Sequence, residues 1–215
     1  MRYAISTLGL VFVALGVGLS IKSNLGISPP SCPPAILNLR WTAISVGTFT
    51  WMMHLLFILL QVLILRKRFR LSFLMQIPAA FVFGYLCDAA IWIFDAGDPA
   101  TRYGLQLLLS LAAVVTTAVG IKLEVLGGAW MLAGDKTVAV LAEESRRPFG
   151  MVKVLFDVGL VAGTALLAWL FFGVLTGNGN IVIIREGTLI LAVLTGLCMR
   201  LTDPLIERIF KKILP

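Results

Sequence analysis

Six runs of mostly apolar residues set the pattern of the chain, at 3–21, 46–65, 72–94, 104–123, 151–172 and 185–201. None alternates with the two-residue period of a half-buried strand, and the runs are apolar on every helical face. About 20 such residues carry a helix across a hydrocarbon core of about 30 Å, and the last run only just reaches that length. Lipid offers no partner for a free backbone N–H or C=O, so the pattern predicts six transmembrane helices and not a barrel. The expected fold class is all-α and integral to the membrane. The first run is longer than the apolar stretch of a secretory signal, and no A-x-A site follows it, so it reads as the first span.

The tail carries a different pattern. Asp203 suits an N-cap and Pro204 the first helical position. Leu205, Ile206, Ile209, Phe210, Ile213 and Leu214 then share a face opposite Arg208, Lys211 and Lys212. An amphipathic cytoplasmic helix over 203–215 is expected, lying on the inner membrane surface.

The chain also repeats itself. At an offset of 104, Gly16 falls on Gly120, Leu19 on Leu123, and Ala35-Ile36-Leu37 on Ala139-Val140-Leu141. One deletion later Gly47 falls on Gly150 and His54 on Asp157. Three spans per repeat is an odd number, so the repeats must be inverted. The expected organisation is a first repeat over 1–95, a second over 104–201, and the tail. Each repeat carries an apolar interruption after its first span, Leu25-Gly26-Ile27-Ser28-Pro29-Pro30-Ser31-Cys32-Pro33-Pro34 and Leu126-Gly127-Gly128-Ala129-Trp130-Met131-Leu132-Ala133-Gly134-Asp135. Two readings compete: surface loops folded against headgroups, or re-entrant segments that feed a half-helix starting inside the membrane. The second is preferred, with Pro33 and Pro34 at one helix start and Asp135 as the N-cap of the other. A half-helix N-terminus presents free N–H groups that favour an anion or a carboxylate.

Composition agrees with the pattern. Of 215 residues, 59% are hydrophobic and 13% charged, against roughly 45–50% and about 25% in soluble domains. The net charge of +7 is explained by orientation rather than by nucleic acid, which no basic-aromatic pattern supports. With the amino terminus in the cytoplasm, only Lys22, Arg40, Arg102 and Arg185 of the 18 basic residues face outside. Both termini are therefore expected to be cytoplasmic. The cysteines Cys32, Cys87 and Cys198 form no metal or disulfide pattern, and no cofactor is expected.

Ionisable residues inside apolar spans are site candidates, because each is costly there. His54 lies in the second span, with a satisfied core histidine as the plain alternative. Lys153 and Asp157 lie one turn apart in the fifth, either a self-neutralising pair or a coupling carboxylate released when substrate competes for Lys153. Glu124 precedes the second interruption and is expected to line a cavity; Ser31, Asp135 and Lys136 belong to the interruptions themselves. Arg185 and Glu186 open the sixth span from the outside, as a gate or an interface anchor. Asp88 and Arg200 sit near span ends, where reaching water explains them. Small residues in Ala14-x-x-x-Gly18, Gly16-x-x-x-Ser20 and Ala112-x-x-x-Thr116-x-x-x-Gly120 permit close helix approach.

Three segments resemble the YitT/YczE-type family of small bacterial membrane proteins. They are Gly16-Val17-Gly18-Leu19 leading to Leu25-Gly26-Ile27-Ser28-Pro29, Phe149-Gly150-Met151-Val152-Lys153 running to Asp157, and Arg185-Glu186-Gly187-Thr188. Gly134-Asp135-Lys136 resembles that family's acidic turn. The resemblance implies a multi-pass protein of the bacterial inner membrane and no agreed substrate.

Two functions of different class follow. The first is a secondary transporter or permease for a small anionic or zwitterionic solute or an ion. The second is a non-transporting membrane partner of another protein. An enzyme is disfavoured by the single His and the lack of HExxH or GxSxG. The expected partners are the lipid bilayer and a small-molecule or ion substrate, with a homodimer left open. The paired interruptions and the charges within spans favour transport.

Overall fold

The computed structural model describes residues 2–69, 71–94, 100–128, 131–178, 181–195 and 198. They form eight helices: α1 Arg2–Ser23, α2 Cys32–Arg40, α3 Val46–Leu65, α4 Gln76–Ile93, α5 Tyr103–Gly127, α6 Ala133–Ser145, α7 Phe149–Phe172 and α8 Glu186–Thr195. Among the described residues the one β feature is an isolated antiparallel bridge between Gly177 and Val182. The tail over 203–215, Arg200, Trp130 and the end of the sixth run lie outside the described residues.

Local chemistry fixes the helix ends. Ser45 caps α3, its side chain accepting from Thr48 N at 3.1 Å. Pro33 and Pro34 stand in the first turn of α2 behind Ser31, where a missing amide donor costs nothing. Gly128 and Gly173 close α5 and α7 in the left-handed conformation. Three expected boundaries move. The run from 72 begins as a 3-10 segment, Leu71–Met75, and α4 starts at Gln76, which keeps Pro78 in the first turn. Helix α5 continues past 123 to Gly127, because Lys122 and Glu124 are 8% and 2% exposed and do not mark a water boundary. The α6 N-cap is Leu132, not Asp135, which lies inside the first turn.

Five helical stretches, those at α1, α3, α4, α5 and α7, are long and apolar enough to cross a membrane; the described part of α8 is apolar but shorter. Leu56, Leu63, Trp92, Leu108, Val154, Leu170 and Leu189 lie exposed around the perimeter. So much exposed apolar surface suits a membrane-embedded protein and not one bathed in water.

Helix α1 is the central post, with Leu10, Ala14 and Val17 buried against α4 and α5. At the α1–α5 crossing a Cβ on Gly9 would strike the Gly120 carbonyl, and one on Gly120 would strike that of Gly9. Gly16 rests on Thr117 and Ala113, so the close face of α5 runs through Ala113, Thr117 and Gly120. Thr116, expected on that seam, instead bonds its hydroxyl to Ala112 O at 2.6 Å on its own helix. The short helices cross-pack: α2 lies against α3 and α7, and α6 lies against the same two.

Candidate functional site

Helix α6 presents its first turn to α7, and there three charges meet. Lys153 Nζ donates to Asp157 Oδ1 at 2.9 Å and lies 3.4 Å from Asp135 Oδ1. The i,i+4 spacing supplies the first pair, and the packing of Val138 and Ala142 on Val152 brings in the second carboxylate. The three side chains are 28%, 14% and 18% exposed for Lys153, Asp157 and Asp135. The cluster is thus enclosed without being sealed. It holds two carboxylates to one ammonium. Helix α2 packs against α7 as well, so α7 carries both short helices.

Glu124 and His54 approach Asp135 from α5 and α3, each within its electrostatic reach. Glu124 is buried beside the N-terminus of α6, where its Oε2 accepts from Leu132 N at 3.3 Å. Its Oε1 has no partner. His54 is 4% exposed, packs edge-on against Phe57 and Phe83, and leaves Nδ1 without a partner. It is therefore not the satisfied core histidine of the plain reading. Lys136 points away, its ammonium 5.0 Å from the Phe73 ring centroid.

The two helix starts do not offer equivalent sites. At α6 the protein's own Glu124 accepts from the N–H of the cap residue, Leu132. At α2 the prolines remove two donors, and Cys32 N already donates to Ser28 O at 3.2 Å. Ser31 is half-buried and accepts from the Ser28 hydroxyl at 3.0 Å. At α2 the prolines thus leave few donors for a simple anion, whereas at α6 the first-turn amides follow the Leu132 cap.

Arg185 and Glu186 lie apart from the cluster, on the first interruption. Arg185 Nη1 donates to Asn24 O at 2.9 Å, and Nη2 to Glu186 Oε1 at 2.9 Å. Backbone bonds Ile27 N to Ile183 O (3.1 Å) and Gly187 N to Leu25 O (2.8 Å) fasten the same two segments. Gly26, at φ +127°, leaves room for Thr188 that a Cβ would fill.

A family of unknown function, DUF6198, matches residues 1–204. The chain belongs to that family. It is also similar to the uncharacterized protein YyaS of Bacillus subtilis (strain 168), with 24% identity over 217 residues, covering 98% of this chain and 96% of the other. No solved structure matches.

Two polar features of this DUF6198 chain escape a reading of the sequence. Asp88 does not simply reach for water: it accepts from Ser45 Oγ at 2.6 Å and Gly47 N at 2.7 Å, closing the N-terminus of α3. Ser45 three residues before Thr48 marks that cap locally, but its partner on α4 has no local signal. Gln61 Nε2 donates to Gln76 Oε1 (3.2 Å), Ala133 O (3.2 Å) and Thr137 Oγ1 (3.0 Å), and Gln76 returns a bond of 3.1 Å. This clamp joins α3, α4 and α6 beside the cluster. Neutral amides in apolar runs are easily passed over when charges are the candidates.

Proposed function

We propose that this chain is a secondary transporter of a small solute, built as two inverted three-helix repeats in the bacterial inner membrane with both termini cytoplasmic. The observation that carries the reading is the Asp135–Lys153–Asp157 cluster, three partly accessible charges where a short helix meets a long one inside an apolar framework. Purely structural pairing needs one carboxylate; the second leaves negative charge to spare. A zwitterion fits this set best: its ammonium replaces that of Lys153 between Asp135 and Asp157, and its carboxylate takes Lys153. A simple anion fits less well, since the cluster holds two carboxylates to one ammonium.

The repeat has support in the packing. Helices α1 and α5 head the two halves and meet through reciprocal glycines, while α2 reaches over to α7 and α6 to α3. A pseudo-two-fold axis produces such an exchange, and transporters of inverted repeat place their site between broken helices. In this reading α2 and α6 are re-entrant, α8 begins a sixth span, and the YitT/YczE-type resemblance reflects kinship. Thermal melting of the purified protein against a panel of amino acids, betaines, polyamines and organic acids tests the proposal. A zwitterion should raise the midpoint in the parent and not in D135N, with the gain growing with concentration as binding to the folded state requires. Stabilisation by organic acids alone would reject the solute class.

A further inference from the structure

We propose that Glu124 is a proton-binding site, its carboxyl holding an exchangeable proton beside the N-terminus of α6. Glu124 is 2% exposed and spends a single bond, from Leu132 N at 3.3 Å, on two oxygens. Oε1 is buried with no partner of any kind. Helix α1 is pressed so closely against it that a Cβ on Gly9 would meet the Glu124 side chain, so no cation fits from that side. Leu132 packs with Leu10, Val13 and Phe83, which makes the α1 and α4 walls beside the α6 start apolar.

The charged group that acts on Glu124 is another carboxylate, Asp135 of α6. Lys122, on the same helix and also buried, has interactions of its own, and residues two apart on a helix point in different directions. Asp135 and Asp157 share the Lys153 ammonium, whereas Glu124 makes no ion pair among the described residues. An ionised carboxylate in that place would be a buried charge met by one backbone N–H and by no cation among the described residues. A carboxylic acid would instead keep Oε2 as the acceptor and carry the proton on the otherwise idle Oε1.

In this proposal exchange runs through Asp135. It lies within electrostatic reach of both Glu124 and His54, and its own side chain is partly exposed. His54 Nδ1, on α3, is a second buried polar atom with no hydrogen-bond partner among the described residues. A proton arriving at Asp135 thus has a buried acceptor on either hand. The site deepens the transport reading, on which it rests for its purpose, by naming the proton as the coupling ion.

Infrared difference spectra between acidic and alkaline buffer test the site without any solute. The purified parent should show the C=O band of a protonated buried carboxyl that shifts in D2O, and E124Q should lack it. E124Q should also melt no lower than the parent, because an amide replaces a neutral acid. A band unchanged in E124Q, or its absence from the parent, overturns the proposal. So does an E124Q protein that melts lower or fails to fold, which would mean that the charge itself is needed at the α6 start. If the band is lost in E124Q but no solute moves protons in proteoliposomes, the proton site stands and the transport reading falls.

Discussion

At the scale of residues, the pair formed by Lys153 and Asp157 was legible because i,i+4 spacing alone places both on one face. Asp135 was a candidate from its place in the second interruption, but its meeting with Lys153 was not legible, since only the packing of α6 on α7 brings the two together. Its position among small residues before an apolar run pointed to an N-cap, a local role, and a distant cation displaced that role. The arrangement predicts how charges may be removed. D157N leaves Lys153 with Asp135 and should cost between the roughly 1 kcal/mol of an exposed pair and the about 5 kcal/mol of a buried one. The double variant D157N with K153M leaves Asp135 alone, at 18% side-chain exposure, and should recover part of that loss in thermal melting. Solute binding should not return with it. A double variant that binds solute as the parent does would make the cluster purely structural. Gly26 gives a second test of residue geometry. G26A forces a side chain into a left-handed backbone against Thr188 and should lower the melting temperature, by about 1–3 kcal/mol of strain or more. An unchanged midpoint would show that the Leu25–Gly187 fastening is not tight.

At the scale of elements, the apolar runs located the long helices well, and α3 begins and ends where its run does. One boundary, the end of α5, moved because polar residues were taken as a sign of water. Lys122 and Glu124 are buried, so α5 runs on; Gln61 and Gln76 lie in apolar runs and instead form the clamp on α6. A hydropathy pattern registers the cost of burying such groups but not the tertiary partners that meet it. The clamp predicts that Q61L leaves the Gln76 and Thr137 groups short of partners and destabilises the protein by about 1–3 kcal/mol. Because α6 is then less firmly held, the change should also weaken solute binding at Asp135. Weaker folding with intact binding would separate the clamp from the site. Re-entrance is tested by single cysteines at 31 and 135 in a background without native cysteines. Both should react with small thiol reagents and poorly with bulky ones, from opposite sides of the membrane; ready reaction with bulky impermeant reagents would return that segment to the surface.

At the scale of the whole molecule, the repeat and the orientation rest on different physics. The proposed repeat draws on the reciprocal glycine packing at the α1–α5 crossing and on the way α2 and α6 each pack against both α3 and α7. Orientation rests on charge: 14 of the 18 basic residues fall on one side once the spans are threaded with alternating direction. Cysteines at 68 and 178 should therefore label from opposite sides, with 68 inside; labelling of both from outside would undo the topology and the inversion with it. The claim on which everything converges is that solute crosses through the Asp135–Lys153–Asp157 cluster. Its most direct measurement is the charge displaced when proteoliposomes on a solid-supported membrane meet a jump in solute concentration. A zwitterion that stabilises the purified protein should evoke a current in the parent, and the D157N and K153M double variant should abolish it. No current in the parent with that solute, or a current that persists at full size in the double variant, would contradict the claim.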